Sequence, residues 1–269
     1  MATYNIRQLQ LKILENLILL HQVCEKHNLR YYLWAGSMLG AVRHGGFIPW
    51  DDDLDIAMPR RDYDLLVSHA KEWLPEPLEM VSFETDPERY PLPFAKLQDA
   101  STTLVERQHL RYVGGIYIDV FPLDGMPKSR VRQRIHFIYY QWLKKALYFV
   151  HRDPFKHGHG ASSWLPLLCR KLYTMQGLQE KIRQLQKEYD YDECSLVVDH
   201  DDGLKGVIEK SSLGTPTPVL FENATVWGVE KADEYLKQKY GDYMILPDAE
   251  HQRQHNFHLL DLEKSYKDV

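Results

Sequence analysis

With 269 residues, 44% hydrophobic and 26% charged, the chain can bury a real core and sits close to globular averages, which excludes a disordered, collagen-like or coiled-coil chain. Its 33 Lys and Arg against 38 Asp and Glu give a net charge of −5, so no global basic field speaks for nucleic acid as a partner. Three cysteines, Cys24, Cys169 and Cys194, odd in number and without CxxC spacing, argue against a disulfide scaffold or zinc knuckle and for a reducing, cytoplasmic setting.

Ile6, Leu9, Ile13, Leu17 and Leu20 recur at three- and four-residue spacing and predict an amphipathic helix over 5–28. Gln10, Lys12, Glu15 and Asn16 interrupt the apolar stretch Leu9–Leu20, so a signal peptide is not expected there, and no run of about 18 apolar residues predicts a membrane span. Leu29–Ala35 is expected as a strand, broken by Gly36-Ser37 before a short helix over Met38–Val42. After a turn at Gly45-Gly46 and Pro49, the run Asp51–Met58 leads into a strand, and Arg61–Leu74 resumes helical spacing. Leu78–Phe83, Phe94–Leu97 and Ile116–Phe121 are further predicted strands, with loops at Thr85–Pro93 and Arg111–Gly115. Beyond Pro127 the texture changes to long, partly basic helices over Arg130–Val150 and Trp164–Tyr189, then a strand pair within Val219–Val229 and a helix over Glu230–Tyr240. The expected class is α/β (α+β): a mixed-sheet core over 1–127 and a mostly helical subregion over 128–269 packed on it.

Asp53 and Asp55 stand one residue apart; in a strand, period-two geometry sends both carboxylates to one face. An isolated pair of this kind is normally a solvated turn. Here Ile56-Ala57-Met58 carries the acids into a core strand, where unpaired carboxylates are costly. With oxygen ligands alone, the cation that relieves their repulsion is hard and divalent, Mg²⁺ or Mn²⁺. Asp119, alone in the apolar run Ile116–Phe121, is expected as a third metal ligand or a general base, whereas Asp124 before Gly125 suits a turn cap. Gly36 and Ser37 ahead of a short helix suit a phosphate contact. Arg43 suits bidentate oxyanion binding and Lys96 a point charge, the alternative for both being a surface salt bridge. His44 contacts phosphate or satisfies a turn. Asp51 is held as a supporting or substrate-facing residue, and Asp52 is expected to point away. His151–His159 and His251–His258 are expected as solvated loops, the second stretch having the further option of bordering an acceptor.

The run from Trp34 to Asp55, containing Gly36-Ser37, Arg43-His44-Gly45-Gly46 and Pro49-Trp50-Asp51-Asp52-Asp53-Leu54-Asp55, resembles the signature of the LicD family of phosphocholine transferases. Phe94-Ala95-Lys96-Leu97, the run Tyr117–Gly125 and Tyr240-Gly241-Asp242-Tyr243-Met244 resemble that family in order and spacing. The likeness spans about Leu29 to Met244, with no matching motif over 128–218. It implies a nucleotidyltransferase-type fold whose acids surround two-metal phosphoryl chemistry. It also implies CDP-choline as donor, a cell-surface glycan or glycolipid as acceptor (a lipopolysaccharide or teichoic-acid precursor), and CMP as product. Asp53, Asp55 and Asp119 would be catalytic and metal-binding, and Gly36, Ser37, Arg43 and Lys96 substrate-binding. The helical subregion would complete the acceptor site, with peripheral contact at the inner membrane face. Fukutin-type relatives, which move ribitol phosphate from CDP-ribitol, keep other phospho-alcohols open: ribitol phosphate, glycerol phosphate or phosphoethanolamine. A non-catalytic choline- or glycan-binding module is the alternative of another class. Choline can be selected through aromatic faces, for which Trp50, Tyr112 and Tyr117 are candidates only by their position beside the acidic motifs, a role as core or loop aromatics being the equal alternative.

Overall fold

The chain enters through α1 (Ile6–Lys26), where the Asn5 side chain accepts from the Arg7 and Gln8 N–H groups and Leu9, Ile13, Leu17 and Leu20 are buried. The computed structural model describes residues 4–106, 112–252, 254–255 and 257–268, so Arg111 of the loop expected at 111–115 lies outside the described residues. The following elements are β1 (Tyr32–Leu33), α2 (Ala35–His44), β2 (Asp55–Pro59), α3 (Arg60–Trp73), β3 (Leu78–Val81), β4 (Ala95–Asp99), β5 (Thr103–Val105) and β6 (Tyr117–Met126). Next are α4 (Arg130–His151), α5 (Trp164–Leu172), α6 (Met175–Gln186), β7 (Leu196–Asp199), β8 (Val207–Glu209) and α7 (Lys210–Leu213). The chain closes with β9 (Thr217–Phe221), β10 (Ala224–Gly228), α8 (Ala232–Tyr240) and β11 (Leu259–Asp261). This is an α+β fold on a mixed seven-stranded sheet, and no helix of the described residues is long and apolar enough to cross a membrane.

The sheet runs β1-β2-β6-β4-β3, and β6 carries it. Its start pairs antiparallel with β4, its middle parallel with β2, and its last four residues antiparallel with β7, which in turn pairs β8. Residues beyond 127 therefore extend the same sheet. A separate hairpin, β9 with β10, and the pair β5 with β11 complete the strands. One apolar cluster joins α1, α3 and the sheet; a second places Phe137, Tyr140 and Leu147 of α4 against Ile182 of α6 and Val198 of β7.

Several local expectations are corrected. The expected strand 29–35 shrinks to two residues because the chain turns at Ala35 (φ 44°), so Gly36 and Ser37 form the first turn of α2 rather than breaking before it. Gly45 (φ 71°) ends that helix in the left-handed region, where glycine carries no Cβ penalty. β2 begins at Asp55, which leaves Asp53 in the segment entering the strand. The expected helix 164–189 is two helices, because Thr174 caps a new one by accepting from Gly177 N–H. Asp124 lies inside β6, buried, and its oxygens accept from Arg60 Nε and Nη2 at 2.6 Å each rather than capping a turn.

Candidate active site

Strand register assembles the site. Asp55 on β2 lies opposite Asp119 on β6, and Lys96 on β4 lies opposite Asp119 from the other side. Directly opposed residues share a face of the sheet, so two acids and an ammonium group form a row across three adjacent strands. Lys96, only 3% exposed, places Nζ 3.2 Å from Asp119 Oδ1 and 2.7 Å from Glu106 Oε1, and its ammonium sits 3.0 Å above the centre of the Tyr117 ring. Asp119 Oδ1 is buried and receives no well-aligned hydrogen bond.

Burial first, then neighbouring negative charge, drives the carboxyls upward. Asp119 is pushed up to about 7 by burial; Lys96 opposes this, while Glu106 and Asp53 add to it. Asp55 rises well above the carboxylate range through burial and the charges of Asp53 and Asp119. Asp51, which shares a hydrogen bond with Asp53, is pushed up to about 8 by burial and by that neighbour. A further acid, Asp199 at the end of β7, accepts from Trp34 Nε1 at 3.0 Å and is pushed up to about 7 by burial, with Asp202 and Asp201 adding and Lys239 opposing. Its charge is also felt by Asp55. More negative charge converges here than Lys96 and Lys239 offset. A cluster of hard oxygen donors whose carboxyls are pushed up by burial and by one another suits a divalent cation such as Mg²⁺ or Mn²⁺.

Asp52 is not in solvent: it is 2% exposed and accepts from Tyr4 Oη, from His255 N–H at 2.9 Å and from His255 Nδ1 at 2.7 Å. His255 therefore does not sit in a purely solvated loop. The hydrogen bond to Asp52 pushes it up to about 9, against burial, with Asp53 adding to the rise. The β5–β11 pairing brings this segment back to the site. Asp52, Asp53 and His255 offer ligand atoms within 4.8 Å of one another, yet the Asp52 oxygens are already used by Tyr4 and His255. His151 likewise has a partner, its Nε2 lying 3.0 Å from the Arg89 carbonyl.

Gly36 backs the cluster: a Cβ at that position would lie 3.0 Å from Asp51 Oδ2. Ser37 Oγ accepts from the Asp55 N–H at 2.8 Å, tying the start of α2 to the start of β2. Arg43 lies seven residues along α2 from Gly36, about 10 Å by helical rise, and its Nη1 donates to the Tyr243 carbonyl at 2.9 Å. Among the described residues no carboxylate forms an ion pair with it; it feels Tyr240, which in turn feels Asp55, Asp51 and Asp53. Trp50 is half-buried and edge-on to His44. Tyr117 is occupied beneath Lys96, and Tyr112 Oη donates to Gln98 Oε1 at 3.0 Å. Asp199, Glu106 and the role of His255 escape sequence reading; the apolar run Leu196-Val197-Val198 before Asp199 repeats the pattern around Asp119 and is the signal that could have found it.

Residues 28–156 match the family model described as LicD/FKTN/FKRP, nucleotidyltransferase domain. Over 275 aligned residues, covering 95% of this chain and 97% of the relative, it is 27% identical to the lipopolysaccharide cholinephosphotransferase LicD of Haemophilus influenzae. Over 40 residues, 15% of this chain and 8% of the relative, it is 50% identical to the human ribitol 5-phosphate transferase FKRP. The matched segment runs from the residues before β1 to five residues past α4 and holds Asp55, Asp119 and Lys96. Residues 28–156 are thus similar to the LicD/FKTN/FKRP nucleotidyltransferase domain, and nearly the whole chain aligns with LicD.

Proposed function

We propose that the chain transfers phosphocholine from CDP-choline to a hydroxyl of a cell-surface glycan, of lipopolysaccharide or teichoic-acid precursor type, and releases CMP. The observation that carries this is the row Asp55, Asp119 and Lys96 across β2, β6 and β4, the arrangement of a phosphoryl-transfer site, in a chain aligned over nearly its whole length with a cholinephosphotransferase. Asp53, Asp55 and Asp119 would hold Mg²⁺ or Mn²⁺, which when bound offsets the charge of the diphosphate and of the leaving CMP. In this scheme the acceptor oxygen attacks the choline-bearing phosphorus, the bond to the bridging oxygen breaks, and that oxygen leaves with CMP. Asp119, in register with Asp55 and beside Lys96, is the carboxylate placed to accept the acceptor's proton. Lys96 holds Asp119 in place through its ion pair, and Glu106 and the Tyr117 ring hold Lys96. Ser37 fixes the start of β2 through the Asp55 N–H. Arg43, which among the described residues has no ion-paired carboxylate, would meet a donor phosphate oxygen with the N–H groups not given to the Tyr243 carbonyl.

A second reading, transfer of ribitol phosphate from CDP-ribitol, is favoured by the 50% identity over 40 residues to FKRP, and by Tyr112 and Tyr117 already having partners. Competing CDP-choline, CDP-ribitol, CDP-glycerol and CDP-ethanolamine for CMP release in the presence of Mg²⁺ separates the two. The choline reading predicts that CDP-choline wins. A polyol donor in front transfers the reading to ribitol phosphate or glycerol phosphate, and no CMP from any donor rejects catalysis in favour of a binding module.

A further inference from the structure

Away from the acids, α4 and α5 leave a broad apolar surface uncovered. On α4, Val131, Ile135, Ile138 and Trp142 recur at helical spacing and are all exposed, Ile138 by 72%. On α5, Trp164, Leu165, Leu168 and Leu172 are exposed, Trp164 by 79%, while Pro166 and Cys169 pack inward. The Trp142 ring meets the Tyr173 ring at 5.7 Å, so the two faces join at the end of α5. An apolar area of this extent, with two exposed tryptophans, is not the scattered hydrophobicity of an ordinary surface.

Charge identifies what covers it. Residues 128–172 hold ten Lys and Arg and one acid in a chain whose net charge is −5. Arg134 and Lys145 flank the α4 stripe, four residues before and seven after Ile138, and Lys171 lies within the α5 face. Among the described residues neither these three nor Lys128, Arg130 and Arg132 form an ion pair with a carboxylate; Lys144 does, with Asp201. A second copy seated on this face would bring two such basic fields together, which repel. A surface of anionic lipid complements them, accepts the leucines and isoleucines at the headgroup boundary, and suits tryptophan at that depth.

We propose that the exposed face of α4 and α5 docks the chain peripherally on an anionic membrane, with Ile138, Trp142, Trp164 and Leu168 entering the headgroup boundary and Arg134, Lys145 and Lys171 meeting lipid phosphates. The proposal does not depend on the identity of the CDP-linked donor. It is tested by sedimenting the full chain with vesicles of phosphatidylcholine alone and of phosphatidylcholine mixed with phosphatidylglycerol. Binding to the mixed vesicles only, weakened by salt, is expected. Ile138→Ser with Leu168→Ser should lower partitioning at least about tenfold, and Lys145→Glu with Lys171→Glu should remove the preference for anionic vesicles. Both variants change exposed positions, so circular dichroism and CMP release from soluble donor should match the unaltered chain. No binding to mixed vesicles, equal binding to both kinds, or variants that bind like the unaltered chain overturns the proposal. So does a dimer in the ultracentrifuge that Ile138→Ser with Leu168→Ser dissolves, which makes the face a contact between copies.

Discussion

Arg60→Met offers a sharp test of how the two strands bearing Asp55 and Asp119 are held. Arg60 follows β2 directly and grips Asp124 near the far end of β6 with two hydrogen bonds of 2.6 Å, the side chains being 12% and 1% exposed. Removing the arginine leaves a buried carboxylate whose remaining ion-pair neighbour among the described residues is the His200 ring, 3.4 Å away. Breaking such a pair costs about 3–5 kcal/mol, which at this chain length is roughly 6–10 °C in Tm. Arg60→Met with Asp124→Leu, which removes both charges, should return to within about 2 kcal/mol of the unaltered chain. The pH dependence has a definite sign. Burial pushes the Asp124 carboxyl up, but Arg60 and His200 outweigh it and hold the carboxyl below its ordinary value. That stability is present above the unfolded value, about 3.9, and is lost as pH falls through the folded value. The Arg60→Met penalty is therefore full at neutral pH and shrinks below about pH 4. Urea unfolding at both pH values reads this. A neutral-pH penalty under about 1 kcal/mol, the range of an exposed pair, or one equally large in acid, refutes the reasoning.

Other substitutions probe the site itself. Asp53→Asn, Asp55→Asn and Asp119→Asn should each lower CMP release by more than about a hundredfold, above the loss typical of groups that merely support a metal ligand, while circular dichroism stays unchanged. Ser37→Ala removes the oxygen that receives the Asp55 N–H and should lower stability by about 1–3 kcal/mol; a loss of activity without any loss of stability would contradict its anchoring role. Gly36→Ala brings a methyl to 3.0 Å from Asp51 Oδ2, so CMP release should fall while Tm, read by calorimetry, holds or rises with the better helix former.

The helices α1, α3, α4 and α8 were legible because apolar residues at three- and four-residue spacing must share a buried stripe. Asp55 and Asp119 stood out as acids in apolar runs, and the structure places them in register. That Lys96 lies in a strand facing the same cleft was legible; that it stands directly opposite Asp119 was beyond sequence, since spacing along one strand says nothing about which strands become neighbours. β7 and β8 escaped because four- and three-residue strands after an acidic loop carry too little periodicity. Asp199 and His255 reach the site by long-range pairing of β7 with β6 and of β11 with β5, 144 and 200 residues downstream of Asp55. Gly36-Ser37 misled because a glycine-serine pair usually marks a turn, whereas here the reversal falls one residue earlier, at Ala35, whose N–H donates to Tyr235 Oη.

Phosphorus NMR of the metal-stripped chain with CDP-choline, before and after Mg²⁺ is added, tests the central claim most directly. The account predicts that the diphosphate signals persist without metal, that CMP appears once Mg²⁺ is supplied, and that the Asp119→Asn chain forms none under the same conditions. CMP formed in the presence of EDTA, or formed equally by Asp119→Asn, would contradict metal-dependent transfer at the row of Asp55, Asp119 and Lys96.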